Sequence, residues 1–153
     1  MGTREFILES QINKITHKII NDQNAYDKLR IENFIAEGEK DLIAGQAFPL
    51  EYGMDELNAI DYKKGCYVGQ ELVARTHYLG EIRKKIVQVT SADNLPALGT
   101  LIYVGEKKVG VMCSSVRNKG LALVRVENVM NLESGIKIIA DHQEINLKLR
   151  ENM

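Results

Sequence analysis

The run Lys63-Lys64-Gly65-Cys66-Tyr67-Val68-Gly69-Gln70-Glu71-Leu72-Val73-Ala74-Arg75 is the densest gathering of polar, glycine and nucleophilic residues in the chain. Cys66 is the group there that can attack as a sulfur nucleophile or bind a soft metal, and it does either only as the thiolate. Two glycines bracket it, so the backbone can bend sharply and approach another group closely. Gly69-Gln70-Glu71 opens a predicted helix whose first N–H groups carry partial positive charge. With Lys63 and Lys64 just ahead, three positive influences converge on one sulfur, which are the conditions that lower a thiol pKa. The competing reading is an ordinary turn around a small apolar side chain. Inert buried cysteines sit in apolar runs, and Cys113 does so: in Val109-Gly110-Val111-Met112-Cys113 it is expected on the strand face of Val109 and Val111, in the core.

Other chemistries find little support. Zinc takes about four ligands at recognisable spacing, and His17, His77 and His142 are scattered with no local pairing to each other or to both cysteines. No metal site is expected. An iron–sulfur cluster normally takes about four thiolates, so a chain with two cysteines can lend at most one ligand from Cys66, or form a mixed disulfide with a partner. Nucleophile-elbow, Walker A and dinucleotide glycine fingerprints do not occur in their required contexts.

The elements that must position Cys66 follow from periodicity. Leu8, Ile12, Ile15 and Ile19 recur at helical spacing, and a second amphipathic helix is predicted from Ala25 to Ala36, capped by Asp22 or Asn24. Glu37 to Asp61 is a long segment broken by Gly38, Gly45, Pro49 and Gly53, longer than an ordinary connection. After Gly80 the period changes to two. Strands are predicted at Ile82–Thr90, Leu101–Val104, Lys108–Val116, Leu121–Val129, Ile136–Ala140 and Glu144–Leu149, with turns at Gly99, Gly105, Asn118-Lys119-Gly120, Ser134-Gly135 and Asp141-His142. The fold class is therefore α+β: N-terminal helices and a long loop, then a small six-stranded antiparallel β-barrel. The boundary falls near residue 80, with 1–80 carrying the cysteine motif and 81–153 the barrel.

Composition is that of an ordinary globular protein: 153 residues, 44% hydrophobic, 27% charged, net charge −1. Such a balance gives no electrostatic reason to expect nucleic acid or a membrane surface as partner. The basic residues are nonetheless concentrated, with six against three acidic side chains between residues 61 and 85. Arg75 and the Arg83–Lys85 run could attract an acidic tail or partner, although a charge run is usually a solvated face. Two distant cysteines, with no leader or bilayer-length apolar run, lead to the expectation of a reducing cytoplasm.

The segment Lys64-Gly65-Cys66-Tyr67-Val68-Gly69-Gln70-Glu71, followed by Val73-Ala74-Arg75, closely resembles the signature of the YgfZ family. Tyr26-Asp27-Lys28-Leu29-Arg30-Ile31-Glu32, Phe48-Pro49-Leu50-Glu51 and Asn58-Ala59-Ile60 are similar to the family's approach to that motif, so the resemblance runs from Tyr26 to Lys85. It implies a folate-binding protein with a glycine-cleavage T-protein-like fold, serving iron–sulfur cluster assembly or repair. By resemblance Cys66 and Lys64 are the working residues, with Gly65, Tyr67, Gly69, Gln70, Glu71 and Arg75 shaping their loop. Tetrahydrofolate is the implied cofactor, with Glu32 and Arg30 as its candidate contacts; a carboxylate can accept paired hydrogen bonds from a pterin amine and ring N–H. Iron–sulfur proteins or their assembly machinery are the implied partners. Family members are roughly twice as long, and this chain is similar to their C-terminal part, so a separate N-terminal half is a further expected partner. Two other functions compete: a tetrahydrofolate-dependent aminomethyltransferase, disfavoured because T-proteins lack the Lys-Gly-Cys signature and place their catalytic aspartate in the missing half, and an inactive remnant serving as a binding module.

Overall fold

Asp22 caps the first described helix: its carboxylate accepts the Asn24 N–H at 3.0 Å, and α1 runs Gln23–Glu32. The computed structural model describes residues 22–130, 132 and 136–150. The predicted helix over Leu8–Ile19 and the Ser134-Gly135 turn lie outside the described residues. The second predicted helix is found, but it stops at Glu32 because Phe34 turns to φ +56°. The long segment after it is not structureless. It holds a one-turn helix α2 (Gly38–Asp41) and a 3₁₀ turn at Pro49–Tyr52, and the motif then leads into α3 (Gln70–Leu79).

Six strands follow: β1 (Lys84–Thr90), β2 (Leu101–Val104), β3 (Lys107–Val116), β4 (Lys119–Arg125), β5 (Ile138–Ala140) and β6 (Gln143–Lys148). They pair antiparallel and close in the order β1-β4-β3-β2-β5-β6. Closure removes the free edges that an open sheet would expose. The α+β reading with a six-stranded barrel is therefore what the structure shows. Three strands are shorter than predicted: β1 and β5 each begin two residues later, and β4 ends at Arg125 because Val126 donates to the Arg83 carbonyl and the chain turns into a 3₁₀ segment, Val126–Asn128.

Two apolar clusters hold the molecule. The barrel interior is filled by residues including Val87, Val89, Ile102, Met112, Val124 and Ile145. The second lies outside the barrel, where Ile31 of α1 and Tyr52 pack on Ile86, Cys113 and Leu121. Here the expected face of Cys113 needs correcting. The β2–β3 register shifts between Ile102 and Tyr103, so Val109 and Met112 both enter the barrel interior and Cys113 faces outward into the second cluster. It is buried as expected, but beneath α1 and not beside Val109.

Arg30 binds this outer layer to the barrel. Its guanidinium, about 3% exposed, donates to Asp27 (2.6 Å), Asp41 (2.8 Å), the Ile35 carbonyl (3.2 Å) and the Ser114 hydroxyl (2.8 Å). Asp41 in turn accepts the Ser114 N–H at 2.7 Å and the Glu37 N–H at 2.9 Å. The β3–β4 register shifts between Met112 and Ser115, and Asp41 supplies an acceptor to strand backbone at that irregularity. A buried polar network satisfied at this level fixes one geometry; left half-paired, it would cost more than an apolar core.

Replacing Arg30 with Ala takes the guanidinium from Asp27 and Asp41, both buried, and leaves them only their remaining hydrogen bonds, so we expect a loss of about 3–5 kcal/mol in urea unfolding. An unchanged midpoint would contradict this role. For Asp27, burial pushes the carboxyl upward, but hydrogen bonds from Arg30, Lys40 and Gln23 outweigh it and hold it below the ordinary 3.8. A carboxyl lowered on folding adds stability above its unfolded pKa and loses it as pH falls through the folded value. Acid titration below about pH 4 should therefore release α1.

Candidate functional site

The motif loop begins with an Asx turn, the Asp61 carboxylate accepting the Lys63 N–H at 2.8 Å. Lys64, Gly65 and Cys66 follow on the surface, all exposed. Tyr67 folds back: its N–H donates to Gln70 Oε1 at 3.3 Å and its carbonyl accepts the Gln70 N–H at 3.2 Å. Gly69 then takes φ +87°, a left-handed conformation a β-carbon would strain, and serves as the N-terminal cap residue of α3. This is the sharp bend the sequence suggested. A close backbone approach is not seen: a Cβ built at Gly65 or Gly69 meets nothing within 4 Å.

Cys66 thus stands free at the head of α3, while Cys113 is sealed. Burial first, then the nearby Asp41 carboxylate, pushes the Cys113 thiol up to about 12. The Lys64 ammonium lies 4.7 Å over the Tyr67 ring, a cation–π placement that holds it beside the residue following the sulfur. Gln70 is half-buried, whereas Glu71 and Arg75 face solvent. The motif residues form one continuous loop-and-helix surface.

A second group, which nothing in the sequence pattern marks, gathers around the C-terminal end of α3. Tyr62 stacks on His77 at 4.1 Å, Tyr78 meets both rings edge-on, and His77 Nδ1 lies 3.8 Å from Asp55. His77 was weighed only as a metal ligand. Among the described residues no group of three potential ligands is close enough to hold a metal ion. Burial, then the Asp55 charge, raises the Tyr62 phenol, and its oxygen is enclosed without a hydrogen-bond partner. These four side chains lie at sequence positions 55 to 78 with no motif spacing, so only the fold could bring them together.

The two candidate cofactor contacts are not brought together. Arg30, offered with Glu32 as a cofactor contact, does not reach out to a ligand. Instead it lies buried with its donors committed to Asp27, Asp41, Ile35 and Ser114. Glu32, one position past Ile31, points to solvent and pairs with Lys119 at 2.7 Å, whose hydrogen bond holds the carboxyl below its usual range. Of the basic run, Lys84 and Lys85 approach Glu51 (3.6 Å) and Glu56 (3.7 Å), so both are partly neutralised. No helix among the described residues is long and apolar enough to cross a membrane.

Comparison with known proteins adds two findings. Residues 83–152 match the family model described as "CAF17, C-terminal beta-barrel domain", which agrees with the closed barrel. The chain is also similar to proteins named iron-sulfur cluster assembly factor IBA57. It is 37% identical to the one from Aspergillus clavatus over 135 residues, covering 72% of this chain and 30% of that protein. The human one is 38% identical over 109 residues, covering 68% of this chain and 31% of its own length. The Dictyostelium discoideum one reaches 41% over 88 residues. The chain therefore spans less than a third of the curated relatives it matches. Their names also say "mitochondrial", which overturns the cytoplasmic expectation; free thiols report a reducing surrounding and do not distinguish one such compartment from another.

The two thiols should separate cleanly. In the folded protein at about pH 8, iodoacetamide should modify Cys66 alone, because a thiol near 12 is roughly one part in ten thousand thiolate there and is covered as well. Peptide mapping before and after denaturant checks this, and equal native labelling at Cys113 would contradict the geometry.

Proposed function

We propose that this chain is the cysteine-bearing, barrel-terminated portion of an iron–sulfur cluster assembly factor acting in mitochondria, with Cys66 as the group offered to the cluster or its client. The observation that carries the reading is the exposure of Cys66 on the loop that leads into α3. The IBA57 relatives support it. One thiol cannot hold a cluster that normally takes about four. Cys66 therefore acts as a single exchangeable ligand: its proton leaves to solvent, a sulfur–iron bond forms, and a ligand from the donor protein departs. Gly65 and Gly69 give the loop its shape, Tyr67 and Gln70 close it onto α3, and Lys64 places a positive charge where an anionic cluster approaches.

Tetrahydrofolate belongs to this reading only conditionally. By themselves the candidate residues do not form a cradle for it, since Arg30 is spent on the scaffold and Glu32 is a solvent-facing partner of Lys119. We infer that folate binds only when the remaining part of the relatives' chain is supplied, because losing most contacts removes most affinity. The natural place for that part is the uncovered face of α3. Leu72 and Leu79, seven residues apart on one helix face, are 61% and 85% exposed, and Val68 just before the helix is fully exposed. Aminomethyl transfer is a weaker reading, as nothing in the described geometry offers a catalytic carboxylate beside Cys66.

The test uses cells lacking an IBA57 relative, supplied with this chain and the N-terminal portion of the human protein. Iron–sulfur enzyme activity should return, should be lost with Cys66→Ser and should survive Cys113→Ser. Leu72→Glu with Leu79→Glu should prevent co-purification of the two portions while leaving the barrel folded by circular dichroism. Full rescue by Cys66→Ser would refute the role of the thiol.

A further inference from the structure

The outer face of the barrel carries a row that a solvated sheet face does not need. Leu101 pairs with Val111, and Val111 pairs with Leu123, so three aliphatic side chains stand abreast on β2, β3 and β4. Outward positions of an antiparallel sheet are normally polar where water covers them. These three are half-buried, because the segment carrying Ile43, Gln46 and Tyr52 leans across one side of the row. What remains is a groove of about 530 Å³ with an apolar floor, within the size range of small-molecule sites.

Its rim is cationic. Lys84, Lys108 and Arg125 line it against one carboxylate, Glu51. Lys84 and Arg125 are direct cross-strand partners, an arrangement in which like charges oppose one another and destabilise the pair. Glu51 approaches Lys84 at 3.6 Å. Among the described residues, neither Lys108 nor Arg125 has an ion-pair partner. The sheet thus carries a like-charge cost beside an uncovered aliphatic floor, and a ligand joining an apolar body to a negative head relieves both.

We propose that this groove binds a small organic anion of that class: a carboxylate whose aliphatic or aromatic body lies on Leu101, Val111 and Leu123 and whose head reaches Arg125 and Lys108. A macromolecular partner is less well matched, because the leaning 43–52 segment bounds the floor on one side, and Lys108 on β3 and Arg125 on β4 flank the row only two or three residues away along their strands. The inference is independent of Cys66 and of the proposed function.

The probe is 2-naphthoate titrated into the isotope-labelled full chain, with its neutral amide, 2-naphthamide, as control. Amide shifts should map to Leu101, Val111, Leu123 and Arg125, and 2-naphthamide should bind roughly tenfold more weakly, the worth of two exposed charge contacts. Lys108→Ala with Arg125→Ala should cost about the same factor, and the charge reversal Arg125→Glu should weaken naphthoate while sparing the amide. Both cations are exposed, so a native-like spectrum confirms that each variant folds. Equal binding of acid and amide, shifts centred elsewhere, or no saturation at millimolar probe would each overturn the proposal.

Discussion

A single guanidinium governs how the outer layer meets the barrel. Arg30 reaches from α1 to α2 through Asp41 and to β3 through Ser114, and Asp41 grips the Ser114 N–H from the other side. The contact falls where the β3–β4 pairing shifts register, so a strand irregularity becomes an attachment point instead of a defect. Around it Ile31 and Tyr52 close over Cys113, and burial lifts the Tyr52 phenol to about 12. The 3₁₀ turn that carries Tyr52 also touches both β1 and α3, so the seat of the motif helix depends on the same layer.

A closed barrel spends most of its backbone donors and acceptors on its own strand pairing, Ser114 N–H to Asp41 being an exception, and its interior is aliphatic. Chemistry is left to what the barrel carries on its outside. The two cysteines show the division: Cys113 lies under the Arg30 layer, whereas Cys66 sits beyond it on a loop bent by Gly69. The same division leaves the Leu72 and Leu79 face of α3 uncovered.

Local rules made much of this readable. Period-two alternation located all six strands, and Leu101–Val104 agreed to the residue. Asp22, one of two candidate caps, and Gly69, one of the two glycines expected to bend the chain around Cys66, are legible because each rests on one residue's own chemistry. The failures share a physical origin in tertiary context. A bulge cannot be read from alternation, so the faces of Val109 and Cys113 were assigned together when they are opposite. Arg30 reads as a candidate cofactor contact because nothing local shows that its partner Ser114 lies 84 residues away. The Tyr62, His77, Tyr78 and Asp55 group has no spacing to betray it; compartment is a separate matter, because free thiols do not encode it.

The central claim is that the Arg30 layer and the barrel form one cooperative scaffold that displays the Cys66 loop outside it. Hydrogen–deuterium exchange followed by mass spectrometry measures this directly. The account predicts that peptides covering α1 and the β3–β4 pair exchange slowly and together, while residues 63–67 exchange at the earliest times. Protection of the motif loop equal to that of the barrel, or release of α1 long before the strands, would contradict it.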